Sequence, residues 1–131
     1  MQNKYMKVVM LEPGKKARAT KILDNIDELH KIVGGYIECV YPWDDPVCLV
    51  LNEEGKLQHL PFNRGLKRDD GTLYDFIVGN AFIVGLTDEK GRWDDEFHDL
   101  SDELIEKFTN MFLDPEVLIK CEDGEYISLP L

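Results

Sequence analysis

The chain opens on two short runs in which apolar and polar residues tend to alternate, "KYMKVVML" and "KARATKIL", separated by Pro13-Gly14. Alternation at a period of two suits a half-buried strand, and a Pro-Gly pair supplies a reversal, so the spacing predicts an opening hairpin. The period then changes. Ile22, Ile26, Leu29 and Val33 recur at three- and four-residue steps, Asn25 stands at a cap position with Glu28 three residues on, and Gly34-Gly35 offers a left-handed exit. Those features predict a short helix. His30 belongs to its flank, since no second His or Cys stands one turn away to make a metal site. "YIECVY" alternates again, and the wholly apolar "VCLVL" reads as a central strand covered on both faces.

Gly55 in "NEEGKL" predicts a hairpin-type reversal through a positive φ. In "LPFNRGL" Pro61 cannot donate to a ladder, so this stretch is expected to be a departing edge or a loop. "YDFIV" and "AFIVGL" flank Gly79-Asn80, and the second is the expected strand; residues 87–99 read as a polar, acidic connection. Leu104, Ile105, Phe108, Met111 and Phe112 then form one broad apolar stripe. Ser101 can cap that helix, Asp102 and Glu103 suit its positive end, and Asp114-Pro115 stops it. "VLIKC" and "YISLPL", joined at Asp123-Gly124, predict a closing two-residue hairpin within residues 117–131. The expected fold class is α+β: one domain over residues 1–131, with a small, mostly antiparallel sheet packed by two amphipathic helices.

Composition narrows the classes of function. At 131 residues, 44% hydrophobic and 31% charged, the chain can build a core without staples. The longest apolar run, Val47 to Leu51, is far too short to cross a bilayer, and the start lacks a leader pattern, so a cytoplasmic protein with no membrane partner is expected. Cys39, Cys48 and Cys121 form no C-x-x-C pair; free thiols are expected, with neither a disulfide framework nor a metal.

The formal charge of -11 is unevenly spread. Residues 1–68 carry +2, residues 69–116 carry -11 and residues 117–131 carry -2. Such a field disfavours duplex nucleic acid, whose phosphates require clustered Lys and Arg. It suits a basic protein partner. Asp94, Asp95, Glu96, Asp99, Asp102, Glu103 and Glu106 are the candidate partner surface, the plainer alternative being a solvated face that keeps the chain soluble.

Four blocks in order, "MKVVMLEPGKKA", "IVGGYIECVYPWDDPVCLVLNEEGKL", "LPFNRGL" and "YDFIVGNAFIVGL", resemble the bacterial family called domain of unknown function 3846, over about residues 6 to 112. The resemblance implies a setting in phages, plasmids or conjugative elements and contact with host components; it implies no reaction. The common phosphate, acyl-transfer, zinc and dinucleotide motifs are absent, and no cofactor is expected.

The strongest polar constellation is Glu38, Asp44, Asp45, Asn63 and Arg64, which occupy polar positions of those blocks. "HLPFNRGLKRDDG" gathers Arg64, Lys67 and Arg68 beside Asn63 and Gly65. Arg64 is expected to differ from its two basic neighbours. On one reading it pairs with a carboxylate, Glu38 first and Asp44 or Asp45 next; on the other it points into a cleft and holds an anion or nucleotide with Asn63, the Gly65 backbone being free to approach. His59 and His98 are expected to be exposed, and Trp43 is either an interface anchor or a cover over the core edge. Together these observations point to a non-catalytic accessory protein that binds another protein. A small anion-binding or enzymatic domain using Arg64, Asn63 and Glu38 is the alternative.

Overall fold

The structure, a computed structural model, describes residues 4–131 apart from the side chain of Asp95. Strand β1 (Tyr5–Leu11) pairs with β2 (Arg18–Leu23) as the predicted antiparallel hairpin. Ile22 belongs to β2, so helix α1 (Ile26–Val33) starts later than its apolar repeat suggests. The Asn25 carboxamide accepts from the backbone of Asp27 and Glu28, and Gly34 leaves the helix at φ 80. Strands β3 (Ile37–Val40) and β4 (Val47–Asn52) follow. After them come β5 (Phe62–Lys67), β6 (Leu73–Val78), β7 (Ala81–Thr87) and β8 (Trp93–His98). Helix α2 (Asp102–Met111) and the hairpin of β9 (Glu116–Lys120) and β10 (Tyr126–Pro130) complete the chain.

The main sheet has the order β2-β1-β7-β4-β3, with β8 also paired to β7, and its pairings are antiparallel. Its central strands β1, β4 and β7 are covered on both faces, as the unbroken apolar run of β4 requires. Val9, Leu49 and Ile83 face α2 and the β5–β6 hairpin side, together with Phe108 and Ile77. Val8, Cys48, Val50 and Phe82 face the other way, with Leu29 and Val33 of α1. β5–β6 and β9–β10 form two further two-stranded sheets. No helix among the described residues is long and apolar enough to cross a membrane.

Four local expectations are refined or corrected. "LPFNRGL" is an edge strand, the first of its two expected forms, and not a loop: Pro61 lies just before β5, which among the described residues pairs with β6 alone, so no ladder bond is lost. "YDFIV" is also a strand, its partner in that hairpin. The acidic stretch 87–99 holds β8, in which Phe97 packs against the core; backbone pairing and a turn hold the strand where an apolar pattern does not. Finally, the reversal after β4 does not use a left-handed Gly55. The Asn52 side chain accepts from Glu54 N–H and donates to Val33 O and Gln58 Oε1, and His59 takes the positive φ of 55.

Three hairpins share one turn. Arg68 N–H donates to Thr72 O, Asp88 N–H to Arg92 O, and Cys121 N–H to Glu125 O, with a left-handed glycine at Gly71, Gly91 and Gly124 before the return strand. Glycine is the residue that takes that conformation without a side-chain clash. The last of these turns is therefore a residue longer than the two-residue reversal expected at Asp123-Gly124.

Candidate binding groove

The basic passage is where the site was expected, and its chemistry turns inward. Between Phe62 and Arg64 the β5–β6 register slips, which is the signature of a bulge. A regular strand would bury alternate residues. Here Asn63, Arg64, Gly65 and Leu66 are all buried. Asn63 donates to Leu11 O at 2.9 Å and Gly79 O at 2.7 Å, and its side-chain oxygen accepts from Arg64. Arg64 is 0% exposed. Its Nε donates to Phe112 O at 3.0 Å, and its terminal nitrogens reach Lys15 O at 2.6 Å and Glu12 O at 3.4 Å.

Arg64 therefore pairs with neither Glu38, Asp44 nor Asp45, and its donors are engaged by the chain itself. Its partners are the side-chain oxygen of Asn63 and backbone carbonyls from the end of α2 and from the β1–β2 turn. The carboxylate near it is one the sequence did not single out. Glu116 accepts from Gly65 N–H at 3.0 Å and from the Ser128 hydroxyl, and lies 3.9 Å from Lys67 Nζ. Burial pushes the Arg64 pKa down, while Glu116 and Asp114 hold it up. The passage does hold an anion, supplied by β9 of the same chain. A side chain at Gly65 would come within 2.4 Å of Leu73 and 2.9 Å of Ser128, so the glycine serves close packing of the last hairpin.

The other predicted residues scatter. Asp45 pairs with Lys107 at 2.8 Å, tying the β3–β4 loop to α2, and Asp44 is exposed. Trp43 packs on Phe108 and Phe112 with centroids 4.6 and 5.8 Å apart, covering the core edge. His59 is exposed. His98 is half-buried, in correction of its expected exposure, with Nε2 2.7 Å from Asp94. Glu96 brings a third ligand atom within 4.8 Å of that pair, an arrangement a cation could use and the sequence analysis missed.

Several carboxylates of the acidic segment are engaged in local turns. Asp94 is held below the usual carboxylate range first by Glu96 N–H and then by His98, and Asp88 first by Arg92 N–H. Asp99 accepts from Lys7 N–H. Glu96, Asp102, Glu103 and Glu106 are exposed, and the Asp95 side chain lies outside the described residues.

Glu38 is the predicted residue that reaches a concavity. It stands on β3, the edge of the main sheet, where that sheet and the β5–β6 hairpin part to leave a groove of about 310 Å³. Val40, Leu51, Leu66 and Phe76 give the groove apolar walls. Glu38, Glu53, Glu54 and Asp75 stand around it as carboxylates, against the single ammonium of Lys56, which is itself paired with Asp75. Leu57, Tyr41 and Tyr74 line the same groove while remaining 80%, 66% and 45% exposed. Sequence reading missed this site because its residues come from separate stretches, β3 and its exit, the end of β4 with the loop after it, β5 and β6, none of which carries a motif.

No curated protein and no solved structure matches the chain. A family model, Domain of unknown function (DUF3846), matches residues 6–113, which takes in every wall of the groove and leaves the β9–β10 hairpin outside. The chain belongs to the DUF3846 family.

Proposed function

We propose that the protein acts by binding another protein, as an accessory factor without catalysis of its own, and that the groove beside β3 receives the partner. The observation that carries this reading is the combination within one concavity of apolar walls, exposed Leu57, Tyr41 and Tyr74, and four carboxylates against one ammonium. Exposed apolar and aromatic side chains grouped around a polar rim are characteristic of interaction sites. The acidic rim selects for cationic partners and steers them. The exposed carboxylates of β8 and α2 add to the same field. The alternative, an anion-binding domain, gains no support from Arg64 and Asn63, whose donors are already engaged by the chain.

An array of eight-residue peptides of random composition tests the reading. Wild-type protein is expected to retain peptides enriched in Lys and Arg, and Leu57→Lys, which removes an apolar contact and adds a like charge, to lose them with its melting temperature unchanged, because Leu57 is largely exposed. Equal retention by both proteins, or a preference for acidic peptides, contradicts it.

A further inference from the structure

The β3 edge offers more than a charged rim. In an antiparallel ladder the N–H and C=O of one residue point to the same side, and successive residues alternate sides. Glu53 N–H donates to Tyr36 O at 2.9 Å, so Tyr36, Glu38 and Val40 direct their backbone groups toward β4. Ile37 and Cys39 therefore direct theirs outward, along an edge on which no further strand pairs among the described residues. Side chains alternate across the sheet instead of along it. Glu38 and Val40 share the groove face, whereas Ile37 and Cys39 pack toward α1. An unpaired backbone edge thus runs beside a groove of defined charge.

We propose that the occupant of the groove is an extended, cationic segment of a partner protein that adds as a further strand to β3. This rests on the groove reading above and specifies how the groove is used. Backbone hydrogen bonds to Ile37 and Cys39 would supply affinity without regard to sequence, and alternate side chains would supply selectivity. A residue opposite Glu38 projects onto the groove face within reach of its carboxylate, where Lys or Arg is favoured and Asp or Glu is repelled. The residue two positions away lies opposite Val40 and meets the apolar wall. The recognised pattern is a cation and an aliphatic residue at alternate positions. Positive side chains on the partner match the excess of carboxylates on this rim, which is what selects a basic strand over an acidic one.

The experiment uses the full chain and peptides of seven residues with Thr at odd positions and Lys, Val, Lys at even ones, against a matched peptide with Glu replacing Lys. A third peptide carries the Lys pattern with N-methyl groups at alternate backbone nitrogens, in both registers. The Lys peptide is expected to bind, to slow amide hydrogen exchange at Ile37 and Cys39 at least tenfold, and to lose at least tenfold in affinity on Glu38→Lys or on N-methylation in the register that faces β3. The Glu peptide should not bind. If the Lys peptide perturbs Leu57 and Tyr74 but leaves exchange at Ile37 and Cys39 unchanged and tolerates both N-methylations, strand addition is overturned while the groove reading stands. If no peptide perturbs either β3 or the groove, both fall.

Discussion

Arg64 and Asn63 sit where four pieces of chain converge: the end of β1, the β1–β2 turn, the β6–β7 turn and the end of α2. An arginine buried this completely stays charged, and its donors satisfy carbonyls that have left their own helix or ladder. Removing it strands those acceptors and opens a cavity. Arg64→Ala should therefore cost roughly 3 kcal/mol or more in urea denaturation, whereas Lys67→Ala and Arg68→Ala, at exposed positions, should each cost under about 1 kcal/mol. Equal effects from all three would contradict the assignment. The sequence marked Arg64 as unlike its neighbours, because an Asn-Arg-Gly triplet combines a hydrogen-bonding partner, a fork of donors and a residue that allows close approach. It could not identify the partners. Backbone carbonyls carry no sequence signal, and Glu116 lies 51 residues beyond Gly65 with nothing in its local pattern to connect it.

The cysteines give a second test at this scale. A hydrogen bond from the Cys48 thiol holds Cys39 down to about 7, against burial, and the same bond pushes Cys48 up. Below that value Cys39 is largely a thiol, and above it a thiolate, the form that attacks electrophiles. Iodoacetamide should thus label Cys39 with a half-maximal rate near pH 7 and leave buried Cys48 unmodified at pH 8, as read by peptide mass spectrometry. Labelling of Cys48 ahead of Cys39 would contradict the pairing.

Among the elements, α2 shows what periodicity can and cannot convey. Its stripe correctly named Phe108, which is 0% exposed between the main sheet and Trp43. Phe108→Ala should cost about 3 to 5 kcal/mol, as truncation of an enclosed aromatic does, and a loss under about 1 kcal/mol would mean the helix rests elsewhere. Met111, in the same stripe, is 46% exposed because the helix ends there, one residue before Phe112 turns back into the core. Legibility differed most between β4 and β8. A run of five apolar residues can only be a covered strand or helix, so β4 was plain. β8 buries little apolar surface, and its signal was the glycine turn at "DEKGR", a pattern shared with "RDDGT" and "CEDGE". Turn chemistry would have found it where hydrophobicity could not.

At the level of the whole molecule, charge and shape act together. A formal charge of -11 disfavours association with a duplex, whose counterions are displaced by clustered cations. A gel-shift assay with micromolar protein and duplex DNA at 50 mM salt should show no complex; a salt-sensitive shift would contradict both the electrostatic argument and the preference for cationic partners. For the proposed cationic partner the same charge is expected to make association faster and tighter at low ionic strength, since screening over about 10 Å at 0.1 M removes much of the attraction at exposed sites. The groove itself was beyond sequence reading because it exists only where two sheets diverge. Glu38 was selected for a pairing with Arg64 that the fold does not make, and it reaches the groove by its place on the edge strand.

The most direct test is to see which surface a cationic segment occupies. Amide and side-chain resonances of the labelled chain should be followed as a Lys-rich peptide is added at 50 mM and again at 300 mM salt. The account predicts saturable shifts concentrated at Glu38, Val40, Glu54, Leu57 and Tyr74, weakened several-fold at the higher salt and abolished by Glu38→Lys combined with Glu54→Lys. Shifts confined to Glu96, Asp102, Glu103 and Glu106 on β8 and α2, with the groove silent, would contradict it.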